Sequence, residues 1–334
     1  MTNNDQEDEE ARHGPRYYLS RAVLRNPLVA SASPLTQSAH RVIELVEAGV
    51  SAVVLHSLFE EQIEHPTPDA DLPHFFDNPA GPGAPRRYLD LIEECVESVD
   101  VPVIASINGT SRLGWTSFAH NMQDAGAAAV ECNFYNVPQR MQGPGRDVEA
   151  RCVEVVQALK QELDVPVAVK LTPYFSSFGE LALRLVETGA DGLVLFNRFL
   201  QPQIDVQTLT VAPVIGLSHS SDARLPQTWI ALLREQLTAS LAGTGGVETA
   251  SDLVAYLLAG ADVVECASTF LRNGIQYATL LLDGLDAWGN EHGFRSVDEI
   301  RGRLAVPWNV DPQEYTREGY VAALQTARFS YLHL

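Results

Sequence analysis

The sequence is poor in lysine: only Lys160 and Lys170 are lysines among 23 basic residues, against 43 acidic ones. The formal net charge is therefore −20 at pH 7. Such a balance argues against a nucleic-acid partner, since a phosphate backbone is bound by a basic face, and against an anionic membrane surface. No apolar run reaches about 18 residues, the length from which a membrane span is predicted.

Cysteine is also scarce, and the four cysteines have no paired short spacing: Cys95, Cys132, Cys152 and Cys266. The spacing predicts neither a disulfide framework nor a zinc or iron–sulfur centre. For His65 and His74, in an acidic segment, we expect a solvated loop rather than a metal site. Residues 1–16 are acidic and polar and do not resemble a signal peptide, which favours a disordered leader on a cytoplasmic protein.

A weak internal repeat runs along the chain, in which a glycine closes an amphipathic helix and a β-branched strand follows. The glycines are Gly49, Gly126, Gly189 and Gly260, typical helix C-caps. Eight buried strands are predicted, at 28–31, 52–57, 103–107, 128–133, 167–171, 192–197, 238–242 and 262–266. Strict alternation of strand and helix is typical of a doubly wound sheet or a closed barrel. Eight units favour a single (β/α)8 TIM barrel over 17–304.

Two long insertions interrupt this pattern, at 59–86 after the second strand and at 199–222 after the sixth, where a β-excursion is predicted. Long loops after barrel strands lie on the catalytic face, so both are candidate walls of a substrate pocket. The C-terminal segment 305–334 is expected to form a helical extension that packs on the barrel.

Small residues end the last two predicted strands. The segment 243–246 reads Gly-Thr-Gly-Gly, and 267–269 reads Ala-Ser-Thr. In (β/α)8 barrels the loops after strands 7 and 8 commonly bind phosphate through backbone amides. We therefore predict a phosphate cradle at Gly245, Gly246, Ala267 and Ser268.

Polar side chains gather at the other strand ends: His56, Asn108, Asn133, Lys170 and Asn197. Lys170 closes an apolar strand, so its ammonium needs an anionic or carbonyl partner or must lose its proton. Asparagine amides suit the edge of a planar heterocycle because they both donate and accept. Cys132 points the opposite way from Asn133 by strand alternation, which disfavours it as a nucleophile.

Several of these segments together resemble the dihydroorotate dehydrogenases, and most closely their soluble class 1 branch. The segments are Asn26-Pro27 with 31–33, the stretch 169–175 (Val-Lys-Leu-Thr-Pro-Tyr-Phe), Gly192 with Asn197, and 243–249 (Gly-Thr-Gly-Gly-Val-Glu-Thr). The likeness extends from about residue 19 to residue 304. It implies an FMN-containing barrel that oxidises a dihydropyrimidine in pyrimidine biosynthesis-type chemistry.

The resemblance also implies roles for individual residues. Lys170 would face the pyrimidine edge of the flavin, where a positive charge tunes the cofactor, while Asn133 and Asn197 would contact substrate. The residues implied in FMN binding are Ala32, Ser33, Ser57, Asn108, Asn133, Lys170, Ser221, Gly245, Gly246, Ala267 and Ser268. Those assigned to substrate are His56, Asn133, Asn136 and Asn197.

The substrate side departs from the family pattern. The family's catalytic Cys-Pro pair is missing from 131–138, the lysine that ends its second strand is His56 here, and its substrate loop is replaced by 59–86. Loss of a positioned base typically costs a factor of 10² to 10⁴ in rate. We predict that Tyr135 or His56 takes over as the base, beside Lys170 as the third catalytic residue.

The leading interpretation is thus an FMN oxidoreductase that resembles dihydroorotate dehydrogenase and has a rebuilt substrate side. Its partners would be a small-molecule substrate and a separate electron acceptor, with a homodimer by family analogy. Two alternatives stay open: a Schiff-base lyase or aldolase that uses Lys170, and a non-catalytic flavin subunit for electron transfer.

Overall fold

The computed structural model describes residues 17–19, 22–64, 83–109, 115–135, 143–198, 202–212, 214 and 216–331. Its centre is a closed barrel of eight parallel strands. The strands are β3 (Leu28–Ala30), β4 (Ala52–Phe59), β5 (Val103–Asn108), β6 (Ala129–Asn133), β7 (Val167–Leu171), β8 (Gly192–Leu195), β11 (Ser240–Thr244) and β12 (Val263–Cys266). The order β11-β12-β3-β4-β5-β6-β7-β8 closes because β8 pairs with β11, which confirms the predicted TIM barrel.

Helices follow the strands, and all but the last of them lie around the outside of the barrel. They are α1 (Ala39–Glu47), α2 (Glu60–Glu64), α3 (Ala84–Ser98), α4 (Trp115–Asp124), α5 (Gly145–Glu162), α6 (Phe178–Glu187), α7 (Arg224–Leu233), α8 (Ala250–Ala259), α9 (Ser268–Asn273), α10 (Tyr277–His292) and α11 (Pro312–Tyr331). Single 3₁₀ turns lie at Pro34–Thr36, Ser220–Ala223 and Val297–Glu299.

Local sequence explains why these elements form. Every residue of β5, β6 and β7 is buried, as expected for parallel strands covered on both faces. Helix α1 buries Ala39, Val42 and Leu45 at helical spacing, so only one of its faces meets the barrel. Gly260 has a φ of 121° as it ends α8, a conformation in which a side chain would be strained.

Two antiparallel hairpins lie outside the barrel. Strands β1 (Tyr17–Leu19) and β2 (Ala22–Leu24) pair before the first barrel strand. Strands β9 (Gln203–Asp205) and β10 (Thr210–Ala212) form the β-excursion predicted after β8. Of the other insertion, α2 and the start of α3 are described, whereas 65–82 lie outside the described residues. The predicted leader 1–16 lies outside them as well.

The C-terminal extension departs from the prediction. Helix α11 lies within 305–334, but its described side chains are exposed apart from the half-buried Ala327. The prediction that this helix packs on the barrel is therefore wrong for the described residues, because the helix does not bury an apolar face.

Two barrel strands differ from their predicted bounds. The seventh barrel strand lies two residues later than predicted, and the sixth ends at Leu195.

No helix within the described ranges combines the length and apolar character that crossing a membrane requires. Among those same residues, no group of three or more His, Cys, Asp or Glu side chains is arranged to hold a metal ion.

Candidate functional site

Two adjoining cavities open where the barrel strands end. The smaller has a volume of about 240 Å³ and the larger about 1190 Å³. Their shared walls are Ala32, Lys170, Asn197, Arg198, Ala267 and Ser268. One ligand can therefore extend from the smaller cavity past Lys170 into the larger one.

The smaller cavity is lined by the loops after β11 and β12. A Cβ added to Gly246 would lie 2.4 Å from the backbone nitrogen of Ala223, so this loop packs directly on the 3₁₀ turn before α7. Gly245 has a φ of 90°, and a Cβ there would meet no atom within 4 Å. The backbone at Gly245 thus borders open space that a side chain would fill, as a backbone cradle for an anion requires.

Ser218 ties these loops together and was not singled out from the sequence. Its hydroxyl accepts a hydrogen bond from the Gly246 amide at 2.9 Å, and its own amide donates to the Ser268 hydroxyl at 3.0 Å. Arg272 donates to the Ser218 carbonyl at 2.9 Å. The segment after β8 therefore fixes the positions of the two loops that follow β11 and β12.

Arginines beside the smaller cavity are already paired with carboxylates. Arg272 lies 3.0 Å from Glu248, and Arg198 lies 2.8 Å from Asp222. Hydrogen bonds from the Ser220 amide and from His219 hold the pKa of the Glu248 carboxyl below its ordinary value. Besides Lys170, the groups that the described walls of this cavity offer to an anion are therefore backbone amides and small hydroxyls.

The larger cavity carries the asparagines predicted at the strand ends. The strand register aligns Asn108 with Asn133 and Asn133 with Lys170, so these three side chains form one layer. Asn197 donates to Asn133 Oδ1 at 2.8 Å. That bond leaves the amide nitrogen of Asn133 and the amide oxygen of Asn197 available to a ligand, a donor beside an acceptor.

Lys170 lies inside the barrel and not at its rim. Its ammonium donates to Glu131 at 3.3 Å, to Glu265 at 2.9 Å and to the Ser31 hydroxyl at 3.0 Å. Strands β7 and β12 are not neighbours in the barrel, so Lys170 and Glu265 meet across its interior. Burial alone would lower the pKa of Lys170, but the carboxylates of Glu131 and Glu265 raise it above the ordinary value. Lys170 is therefore a cation at any physiological pH.

His56 is half-buried and lines the larger cavity. Burial lowers its pKa below 6.5, which the hydrogen bond to the Thr36 carbonyl partly opposes. The ring lies edge-on to Tyr88, with centroids 5.1 Å apart. Because a carbonyl oxygen only accepts, the 3.4 Å contact places the proton on Nδ1 and leaves Nε2 as a lone-pair acceptor.

The structure brings most of the predicted site residues to these cavities. Gly245 and Gly246 line the smaller cavity, and Ser33, His56, Ser57, Asn108, Asn133 and Tyr135 line the larger. Asn136 lies outside the described residues.

Two other residues lie away from the cavity walls. Ser221 is exposed on the turn before α7 and is not among the described cavity-lining residues. Cys132 is fully buried on the opposite face of β6, and burial raises the pKa of its thiol. The interaction of Cys132 with Cys152 of α5 agrees with its predicted place between strand and helix.

Glu131 and Glu265 were not predicted as site residues, although the sequence around them indicates that they are buried. Both acidic residues stand in apolar strands, each preceded by valine and followed by cysteine. A carboxylate in a strand buried on both faces needs a partner, and the sequence has only two lysines.

The fold and the site define a (β/α)8-barrel protein with a two-part cavity across the ends of its strands. The family model described as dihydroorotate dehydrogenase matches residues 24–288, so the chain belongs to the dihydroorotate dehydrogenase family. It is accordingly an oxidoreductase of the class that acts on CH–CH donors.

Individual relatives are of moderate identity and cover most of the chain. The catalytic subunit of dihydroorotate dehydrogenase B (NAD(+)) from Methanothermobacter thermautotrophicus is 28% identical over 84% of this chain and 94% of its own length. Its counterpart from Pyrococcus abyssi is 29% identical over 83% and 95%. The NAD-dependent dihydropyrimidine dehydrogenase subunit PreA of Escherichia coli is 28% identical over 66% of this chain and 57% of its own length.

Proposed function

We propose that this chain is an FMN-dependent dehydrogenase of a cyclic dihydropyrimidine or a closely similar dihydro-heterocycle. The observation that carries the proposal is the two-part cavity with Lys170 at its junction, with the amide-lined loops on one side and Asn133, Asn197 and His56 on the other. This shape suits a long cofactor whose phosphate lies at one end and whose ring lies beside a substrate.

The residues present fit FMN. The open space at Gly245 and the amides near Gly246, Ala267 and Ser268 would hold its phosphate, while Lys170, Asn108 and Asn133 would meet its ring. When bound, FMN supplies an acceptor for the two electrons that leave the substrate as a hydride. The walls of the larger cavity would position the substrate beside the ring.

Proton removal is assigned to His56 or Tyr135, which both line the substrate side. The base would take the proton from one carbon while the hydride from the neighbouring carbon left for the bound cofactor, so that the C–C single bond would become a double bond. A neutral imidazole with Nε2 free is competent as a base at pH 7. The donor and acceptor atoms left on Asn133 and Asn197 match the cyclic amide of a dihydropyrimidine.

A Schiff-base lyase that uses Lys170 fits the geometry less well. The Lys170 ammonium donates hydrogen bonds to Ser31, Glu131 and Glu265, which occupies all three of its hydrogens. The raised pKa of Lys170 keeps the amine protonated. A nucleophilic lysine must instead be neutral at the moment of attack. The site therefore supports Lys170 as a permanent positive charge.

A separate protein or small molecule is proposed as the electron acceptor. Two of the relatives compared are named as catalytic subunits and a third as a subunit of an NAD-dependent enzyme. Those names belong to the relatives, and they support the proposal that this chain passes electrons to a partner.

The test is an anaerobic visible spectrum of the protein reconstituted with FMN, before and after addition of dihydroorotate or dihydrouracil. We expect stoichiometric FMN binding and bleaching of the flavin band by one of the two. Bleaching by neither would overturn the dihydropyrimidine assignment and favour an electron-transfer subunit. Failure to bind FMN at all would overturn the proposed cofactor.

A further inference from the structure

Three ionisable groups lie together inside the barrel, and two of them, Lys170 and Glu265, form part of the wall of the smaller cavity. Glu131 and Glu265 are each 1% exposed, and Lys170 is 5% exposed. They belong to three strands, β6, β12 and β7, and the ammonium contacts both carboxylates. We call these residues the barrel triad.

The charges of the barrel triad do not balance when all three groups are ionised. Two carboxylates against one ammonium leave one net negative charge in the interior, where an uncompensated charge is costly. Oε2 of Glu131 is buried and accepts no hydrogen bond from a described donor. A proton on Glu131 would balance the charges and give this oxygen a hydrogen bond to make.

Glu265 is the acceptor for such a proton, since the Lys170 ammonium contacts both carboxyls, at 3.3 Å from Glu131 Oε1 and 2.9 Å from Glu265 Oε2. Burial, and then the neighbouring Glu265, raise the pKa of Glu131, against the opposing effect of Lys170. The other titratable groups that interact with the pair are Tyr88, Cys132 and Cys266, and burial raises the pKa of each. These three groups are therefore neutral near pH 7 and add no charge.

We propose that Glu131 and Glu265 share one exchangeable proton, and that this pair controls how much of the positive charge of Lys170 is available to a ligand at the junction of the cavities. With the proton present, the carboxyls bond each other and the ammonium is held by one net negative charge. When the proton leaves, two carboxylates hold the ammonium, which then interacts more weakly with an electron-rich ligand. Glu131 and Glu265 are thus positioning residues that act through Lys170.

A short chain of hydroxyls gives the proton a route to the larger cavity. The Ser106 hydroxyl donates to Glu131 Oε1 at 3.4 Å and shares a hydrogen bond of 2.8 Å with the Ser57 hydroxyl. Ser57 lines the larger cavity. The proton of the barrel triad can therefore exchange at the site without opening of the barrel.

The first experiment measures the dissociation constant of FMN by fluorescence between pH 6 and pH 9.5, and this part of the proposal rests on the proposed function. In the unmodified protein we expect the constant to rise by up to about tenfold per pH unit once the shared proton leaves. Glu265→Gln and Glu131→Gln each leave one carboxylate for one ammonium, so both variants should show a flat profile in this range. The phosphate of FMN titrates near pH 6 in all the proteins and cancels in the comparison.

Glu149→Gln is the matched control. Glu149 is also a buried glutamate, but it accepts hydrogen bonds from Ser176 and Ser177 away from the cavities. This variant should keep the pH dependence of the unmodified protein. If the dissociation constant of FMN depends on pH in the same way in the unmodified protein and in Glu265→Gln, the proposal is overturned.

The second experiment needs no cofactor and separates failure of this inference from failure of the proposed function. A group whose pKa is raised on folding contributes stability that is full below its unfolded pKa and is lost as the pH rises through the folded pKa. We therefore expect the urea midpoint of the unmodified apoprotein, relative to Glu131→Gln, to fall as the pH rises from about 4.3 toward the raised pKa of Glu131. If the urea midpoints of the unmodified apoprotein and Glu131→Gln differ by a constant amount across that pH range, the shared proton is excluded, whether or not the protein binds FMN.

Discussion

At the scale of single residues, burial decides which groups can act as acids or bases. His56 is neutral because burial lowers its pKa, while Lys170 stays charged because two carboxylates outweigh the same effect. Cys132 is excluded as a nucleophile for the same reason that His56 is neutral: burial disfavours the charged form, and so keeps the thiol protonated. Histidine, lysine and cysteine are all catalytic residues in other enzymes. In this protein their surroundings decide whether each is charged or neutral.

Replacement of the proposed base should abolish most of the activity. We expect His56→Gln to lower kcat by about 10² to 10⁴, the usual contribution of a general base, and Tyr135→Phe to have a small effect. Single-turnover flavin bleaching measures this loss without interference from the electron acceptor. The reverse pattern would assign the base to Tyr135, and full turnover in both variants would exclude both residues.

The pH profile provides a separate check on His56. Because the base must be neutral, kcat/KM should rise with pH through the pKa of His56 and level off above it. The lowered pKa places the midpoint of this rise below 6.5. We expect the rise to disappear in His56→Gln, and a midpoint above 6.5 would contradict a buried neutral histidine.

At the scale of elements, the loops after β8, β11 and β12 form one unit. Ser218 and Gly246 join them through a hydrogen bond of 2.9 Å, and the lack of a side chain at Gly246 allows the loops to touch. This arrangement exists only when all three loops are in place together. Its precision therefore comes from packing between loops that are distant in sequence.

A comparison of two adjacent glycines tests this packing. Gly245 and Gly246 both have positive φ, so alanine at either position pays about 1–2 kcal/mol of backbone strain. Only Gly246→Ala also forces a contact with Ala223, so its loss of unfolding free energy should exceed that of Gly245→Ala. Urea unfolding of both variants measures the difference, and equal losses would contradict the packing role of Gly246.

Helix α11 behaves differently from the elements of the barrel. Its described side chains are almost all exposed, so its removal takes away little buried surface. We expect a chain that ends at residue 309 to keep its thermal midpoint within about 2 °C, which corresponds to about 1 kcal/mol. Thermal unfolding followed by circular dichroism checks this, and a drop of many degrees would show that the helix stabilises the fold.

At the scale of the whole molecule, the negative charge is the dominant feature. A formal charge of −20 spread over the surface repels itself and weakens the compact state. Salt screens exposed charges, with a Debye length of about 10 Å at 0.1 M. The buried barrel triad is screened much less than the surface.

Salt should therefore stabilise the protein. Between 0.05 and 0.5 M NaCl we expect the thermal midpoint to rise by about 2–4 °C, equivalent to about 1–3 kcal/mol for a chain of this length. KCl at equal ionic strength should act alike, since the effect is screening. A midpoint that falls with added salt would mean that favourable ion pairs outweigh the surface repulsion.

The sequence by itself determined the barrel, the small-residue loops after β11 and β12 and the strand-end position of Lys170. These features follow from short-range patterns: apolar periodicity, glycines at turns, and small residues after strands. It also indicated that Lys170 needs an anionic partner, without saying which one.

Only the tertiary structure decided the contacts made across the barrel. Lys170 and Glu265 are 95 residues apart in the chain and meet because the barrel closes. The joining of the loops after β11 and β12 by Ser218 and the exposure of α11 likewise depend on where whole elements pack. Such contacts leave no local pattern in the sequence, since each residue taken alone is also compatible with other partners.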